Sequence, residues 1–214
     1  MNYKEVIEAK YNREAWQQLL HDIFLNKVQF YNSTSEVKVN SRLAKSALYI
    51  GRISLSDGES LGIYEVELAD KVDIERNKRG IRDMLTKDWK DMGHAGAFMF
   101  CYRKNESVLR FSYVSETWGF NKKGDYEKLS TNTKRYTYLL GEGRGCRTAI
   151  EQFCALKESK QSLSDVTAAF SVEALTKQFY KDLFDWYQWA VDPASGVYFP
   201  NNTSTEDETK KSGA

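Results

Sequence analysis

The order of elements in this chain predicts an α/β protein, a mixed sheet flanked by helices and followed by a helical C-terminal segment. Three observations lead there. Amphipathic helical patterns at residues 12–26 and 74–89 bracket two apolar runs joined by Asp57-Gly58, which read as a hairpin. Ala97 to Tyr102 is a nearly continuous apolar run, as expected of a strand covered on both faces. From Arg147 onward the pattern is helical throughout.

The N-terminal helix is expected to open at Asn12, a good N-cap, with Trp16, Leu19, Leu20, Ile23 and Phe24 recurring on one face. Residues 31–46 are polar and aperiodic and read as a loop. Strands are expected at 47–55 and 61–68, then a helix turning Ile81, Met84 or Leu85, and Trp89 inward. Further strands follow at 97–102, 108–114 and 134–140, with a long polar loop at 115–133. Gly141-Glu142-Gly143-Arg144-Gly145 lacks the Lys-Ser/Thr ending of a phosphate-binding loop and reads as a flexible turn, though Arg144 and Arg147 could touch a nucleic-acid backbone. Helices are expected at 148–157, after a cap at Ser164 or Asp165, and at 171–191. The last is apolar on more than one face, as a helix that packs against a partner would be. The expected division is an α/β domain at 1–145, a helical connector at 146–191 and a flexible polar tail at 192–214.

The 214 residues can bury a full core, and a hydrophobic content of 41% beside 29% charged residues describes a soluble globular chain. No apolar run is long enough to span a bilayer and the N-terminus carries no apolar leader, so a cytoplasmic location is expected. Three cysteines without a C-x-x-C pair indicate neither a disulfide framework nor a zinc site. Two histidines leave little room for histidine-based chemistry. Net charge is +1, yet residues 71–90 carry seven basic and four acidic side chains.

The candidate site is the stretch from Ser56 to Leu68. On a strand, Ile63, Glu65 and Glu67 share one face and Tyr64, Val66 and Leu68 the other. The two glutamates then stand roughly 6–7 Å apart at Cβ, two strand rises, within reach of one hard cation if Asp57 joins them. The same pattern also suits an edge strand with a wet acidic face.

Several stretches, in order, resemble the N-terminal region of type IIG restriction-modification enzymes. These combine an endonuclease domain with an adenine-specific DNA methyltransferase in one polypeptide. They are Tyr11-Asn12-Arg13-Glu14-Ala15-Trp16, Asp57-Gly58 with Ile63 to Leu68, Ile74-Glu75-Arg76-Asn77 with Arg82, Thr133 to Gly141, Cys146-Arg147-Thr148-Ala149, and Ala169 to Glu173. The resemblance runs from about Tyr11 to Tyr187. It implies a PD-(D/E)XK nuclease-like fold with Asp57, Glu65 and Glu67 as catalytic and Mg2+-binding residues. It further implies double-stranded DNA as partner, with Arg76, Asn77, Arg79, Arg82, Lys134 and Arg135 toward its backbone. Where the family often has lysine, this chain has Glu67, so the alternative is a catalytically inactive DNA-binding or scaffolding module of the same system. No Asn-Pro-Pro-Tyr motif or convincing S-adenosylmethionine loop is present. That cofactor would enter only through methyltransferase and target-recognition domains on the same polypeptide or a partner subunit.

Overall fold

The structure, a computed structural model, describes residues 2–76, 78–120, 124–130 and 136–196. Two short helices lead in. In α1 (Tyr3–Glu8), Asn2 caps the first turn. Asn12 caps α2 (Arg13–Phe24), its side chain accepting from Ala15 N at 2.9 Å. Among the described residues, seven strands and four further helices follow: β1 (Val28–Glu36), β2 (Ala44–Ser54), β3 (Ser60–Leu68), α3 (Lys78–Asp91), β4 (Gly96–Tyr102), β5 (Leu109–Phe120), β6 (Tyr126–Ser130), β7 (Thr137–Leu140), α4 (Arg147–Glu158), α5 (Leu163–Phe170) and α6 (Val172–Val191).

The sheet runs β1-β2-β3-β4-β5-β6, with β7 also paired to β5. Every pairing is antiparallel except β3 with β4, which α3 connects as a crossover. A mixed sheet flanked by helices was the expectation, and the Asp57-Gly58 hairpin is present, Gly58 supplying the positive φ of +85° the turn needs. Of the stretch expected to be loop at 31–46, residues 31–36 belong instead to the edge strand β1 and 44–46 open β2, while 37–43 lie outside strands. The polar residues of β1 hid it, because the strand is irregular between Phe30 and Ser35 and half-exposed. In the same way β5 runs on past Val114 and pairs with β6 across residues 116–120, inside the stretch expected to be loop. The polar, loop-like sequence of 31–36 reflects a sheet margin that is half-exposed.

Strand alternation splits the core into two layers. Tyr64, Val66 and Leu68 of β3 join Ala97, Met99 and Cys101 of β4 under Ile81, Leu85 and Trp89 of α3. The opposite face is a stack of rings. Phe111 lies parallel to Phe100 at 4.5 Å and meets Trp16, Phe98, Phe153 and Phe170 at 5.1–5.9 Å. Phe153 and Phe170 come from α4 and α5, so the expected boundary at residue 145 falls inside this body. The chain divides into units Met1–Ala174 and Leu175–Ala214. In the second unit α6 carries Phe179, Tyr180, Phe184, Trp186, Tyr187 and Trp189, all exposed.

Candidate functional site

Glu65 sits on a central strand, hydrogen-bonded on one side to β2 and on the other to β4, opposite Leu48 and Phe100. It points into the aromatic layer and is 2% exposed. A carboxylate there survives only if paired. Arg13, the first residue of α2, provides the pair: its Nε donates to Oε1 at 2.7 Å and a terminal nitrogen donates to Oε2, a bidentate fork. The Tyr11 hydroxyl also donates to Oε1. Tyr11 is held by its ring, which lies against Phe100 at 5.5 Å and Tyr102 at 4.7 Å. Burial, then the neighbouring Glu65 charge, pushes the Tyr11 phenol far above its ordinary range, so it stays a donor. The hydrogen bonds that Arg13 donates to Glu65 raise its own guanidinium in turn.

Glu67, two residues on along the same face, opens at the sheet's end. Lys104 Nζ lies 3.1 Å from Oε2 and Lys45 Nζ 4.0 Å from Oε1. Lys45 is shared with Asp70 at 2.6 Å, which lowers the Asp70 carboxyl below its usual range. Lys45, Glu67, Asp70, Arg103, Lys104 and Asn105 line a cleft of about 320 Å³. Residue 45 stands at a register shift between Ala44 and Ser46, which brings it beside Glu67.

Asp57 is elsewhere. The hairpin pairs Ser54 with Ser60 next to the turn and Leu48 with Glu65 five residues further along. At the usual strand rise that is a separation of about 17 Å. Asp57 instead accepts from Leu163 N at 2.8 Å, at the first residue of α5, where Ser162 and Asp165 form a capping box. The structure therefore brings Glu65 and Glu67 together and leaves Asp57 at the far end as a helix cap. Asp57→Ala should cost about 1 kcal/mol of stability as a lost cap, measured by denaturant unfolding.

Among the described residues, no group of three or more His, Cys, Asp and Glu side chains is arranged to hold a metal ion. The β3 carboxylates do not fit a resident Mg2+ as they stand, because their oxygens already take a guanidinium, a phenol and two ammonium groups.

The basic segment begins at this same end of the sheet, where β3 hands over to α3. Arg76 is 86% exposed, near Asp73 at 3.3 Å. Arg79 is exposed and Arg82 pairs with Asp83 at 2.6 Å. Asn77, Lys134 and Arg135 lie outside the described residues. Three arginines hold the loop that launches α3. Arg103 donates to the Val72 carbonyl, Arg110 to the Ile74 carbonyl at 2.6 Å, and Arg144 to Glu75 at 2.8 Å. Arg110 is fully buried beside Cys101. Because these arginines reach carbonyls and a carboxylate in a segment 31 to 69 residues away, local sequence patterns gave no sign of the arrangement.

At the other end, His94 is buried, with Nδ1 2.8 Å from the Ser60 hydroxyl and Nε2 2.9 Å from that of Tyr49. Desolvation, reinforced by Arg52, pushes the imidazole below its ordinary 6.5. The unfolded chain therefore binds this proton more readily. Stability contributed by neutral His94 is complete above pH 6.5 and is lost as pH falls from there toward the folded value. Thermal unfolding between pH 8 and 5 should show that decline, and His94→Gln should flatten it.

Comparison with protein-family models finds no match, and neither does comparison with curated proteins.

Proposed function

We propose that this chain is the nuclease-type, DNA-binding domain of a type IIG restriction-modification system, and that in the arrangement described it grips double-stranded DNA as a binding and scaffolding module. One observation carries the non-cleaving part: Glu65 is buried and chelated by Arg13 and Tyr11. The order helix, three antiparallel strands, crossover helix and parallel strand, running from α2 to β4, supports the nuclease-type reading of the fold. Arg76 and Arg79 offer exposed cations for phosphate at the sheet end where Glu67 lies. A methyltransferase and a target-recognition domain would be its natural partners, and S-adenosylmethionine would belong to them.

Mg2+-dependent phosphodiester hydrolysis is the second reading, favoured by the placement of Glu65 and Glu67 on one strand face beside the cleft at Lys45 and Lys104. That reading requires Glu65 and Glu67 to exchange their present cationic partners for the ion. Arg76 and Arg79 would steady the backbone.

Gel-shift and plasmid-cleavage assays separate the two. The expected result is duplex binding that is equal in EDTA and in magnesium, with no nicking. Magnesium-dependent cleavage lost in Glu65→Gln would establish the second reading, and absence of any duplex binding would overturn both. The Arg76→Ala/Arg79→Ala double variant should weaken binding alike on unrelated sequences and reduce the slope of log K against log salt by about two.

A further inference from the structure

Glu65 and Glu67 of β3 and the nearby Asp70 are matched charge for charge by cations of the chain itself. Glu65, Glu67 and Asp70 supply three negative charges, and Arg13, Lys45 and Lys104 supply three positive ones at hydrogen-bond or ion-pair distance. These six groups sum to no net charge that would favour a dication. The fork of Arg13 also takes both oxygens of Glu65, leaving the phenol of Tyr11 on one of the remaining lone pairs. Magnesium sheds its water reluctantly and binds proteins through one or two free carboxylates. At Glu65 it would have to displace a guanidinium already seated on both carboxylate oxygens.

We infer that Tyr11 and Arg13 form a built-in plug, an internal cation standing where a nuclease-type strand would take a divalent ion. The site is closed to metal until the segment ahead of α2 moves away. This deepens the reading given above and rests on it only for the identity of the polyanion; the plug itself stands on the contacts of Glu65. The position of the pair gives it a means of opening. Tyr11 and Arg13 belong to the connection between α1 and α2 and to the first residue of α2. Arg13 is 40% exposed on its outer side while Glu65 is 2% exposed, so the guanidinium can leave toward solvent while the carboxylate stays in place. A phosphate arriving from solvent would meet the same guanidinium fork, for which it competes directly with Glu65.

Manganese, a spectroscopically visible substitute for magnesium, tests the plug on the full chain by water-proton relaxation. The wild type should show no saturable site at millimolar Mn2+. Arg13→Gln should acquire one, at least about tenfold tighter, and the added Glu65→Gln change should abolish it. Equal Mn2+ binding by wild type and Arg13→Gln would overturn the inference. So would a folded Arg13→Gln protein, judged by circular dichroism, that gains none. If Arg13→Gln does not fold, Arg13→Lys keeps one positive charge without the fork and should show a several-fold gain over wild type; no gain there overturns the inference too. A gel shift on the same samples reports separately: loss of DNA binding by the wild type removes the proposed function and leaves the Mn2+ result to decide the plug.

Discussion

Arg13→Ala should lower the stability of the 1–174 unit by about 3 kcal/mol, because it strands a buried carboxylate. For a unit of this size that corresponds to a fall in Tm of about 6–12 °C. The loss falls at the low end for a broken buried pair because Arg13 is partly exposed and solvent screens part of its charge. Glu65→Gln should cost less, as an amide needs no counter-ion, and the double variant Arg13→Ala/Glu65→Gln should recover part of the loss. That recovery is the diagnostic quantity. A double-mutant cycle with no coupling would mean that the pair contributes nothing beyond its separate side chains.

Phe111→Ala should be the most damaging single truncation in the core, at about 4 kcal/mol. Phe111 is 1% exposed and touches five other aromatic rings contributed by α2, β4, α4 and α5. Removing it leaves a void bordered by rigid planar groups that cannot collapse into it as aliphatic chains would. Chemical denaturation should show a lower midpoint, and near-ultraviolet circular dichroism should lose intensity before the far-ultraviolet signal changes.

Much of the fold was legible because it is written in local periods. Alternation along 61–68 correctly separates Glu65 and Glu67 from Tyr64, Val66 and Leu68, and helical spacing correctly sends Trp16, Leu20 and Trp89 inward. What stayed hidden depends on contacts between distant residues. The face bearing Glu65 and Glu67 suggested a wet acidic edge or a metal site, and neither description includes the guanidinium that fills it. Arg13 and Glu65 are 52 residues apart, and nothing near either one announces the other. Asp57 attracted attention because it is close to Glu65 along the chain, but a hairpin converts sequence proximity into distance along the strand. Lys45 reaches Glu67 only through a register shift that no alternation pattern encodes. The edge strand β1, the six-residue α1 and β6, which falls within the stretch expected to be loop, lack the apolar periodicity that marks most of the other elements.

The ring stack that α4 and α5 complete also sets a timetable for folding. Chains emerge N-terminus first, so α2, the hairpin and β4 exist well before Phe153 and Phe170 arrive to cover Phe98 and Phe111. Until then one side of the sheet is an open aromatic surface, and closing it requires contacts across more than forty residues, a slow step. The turn at Asp57 is the waiting half of that closure: Ser56 N and the Asp57 carboxylate meet Gln161 O and Leu163 N only when α5 docks. A chain cut at residue 145 would be held at this uncovered stage and should aggregate, whereas one carried through Ser171 has the residues needed to shut the sheet.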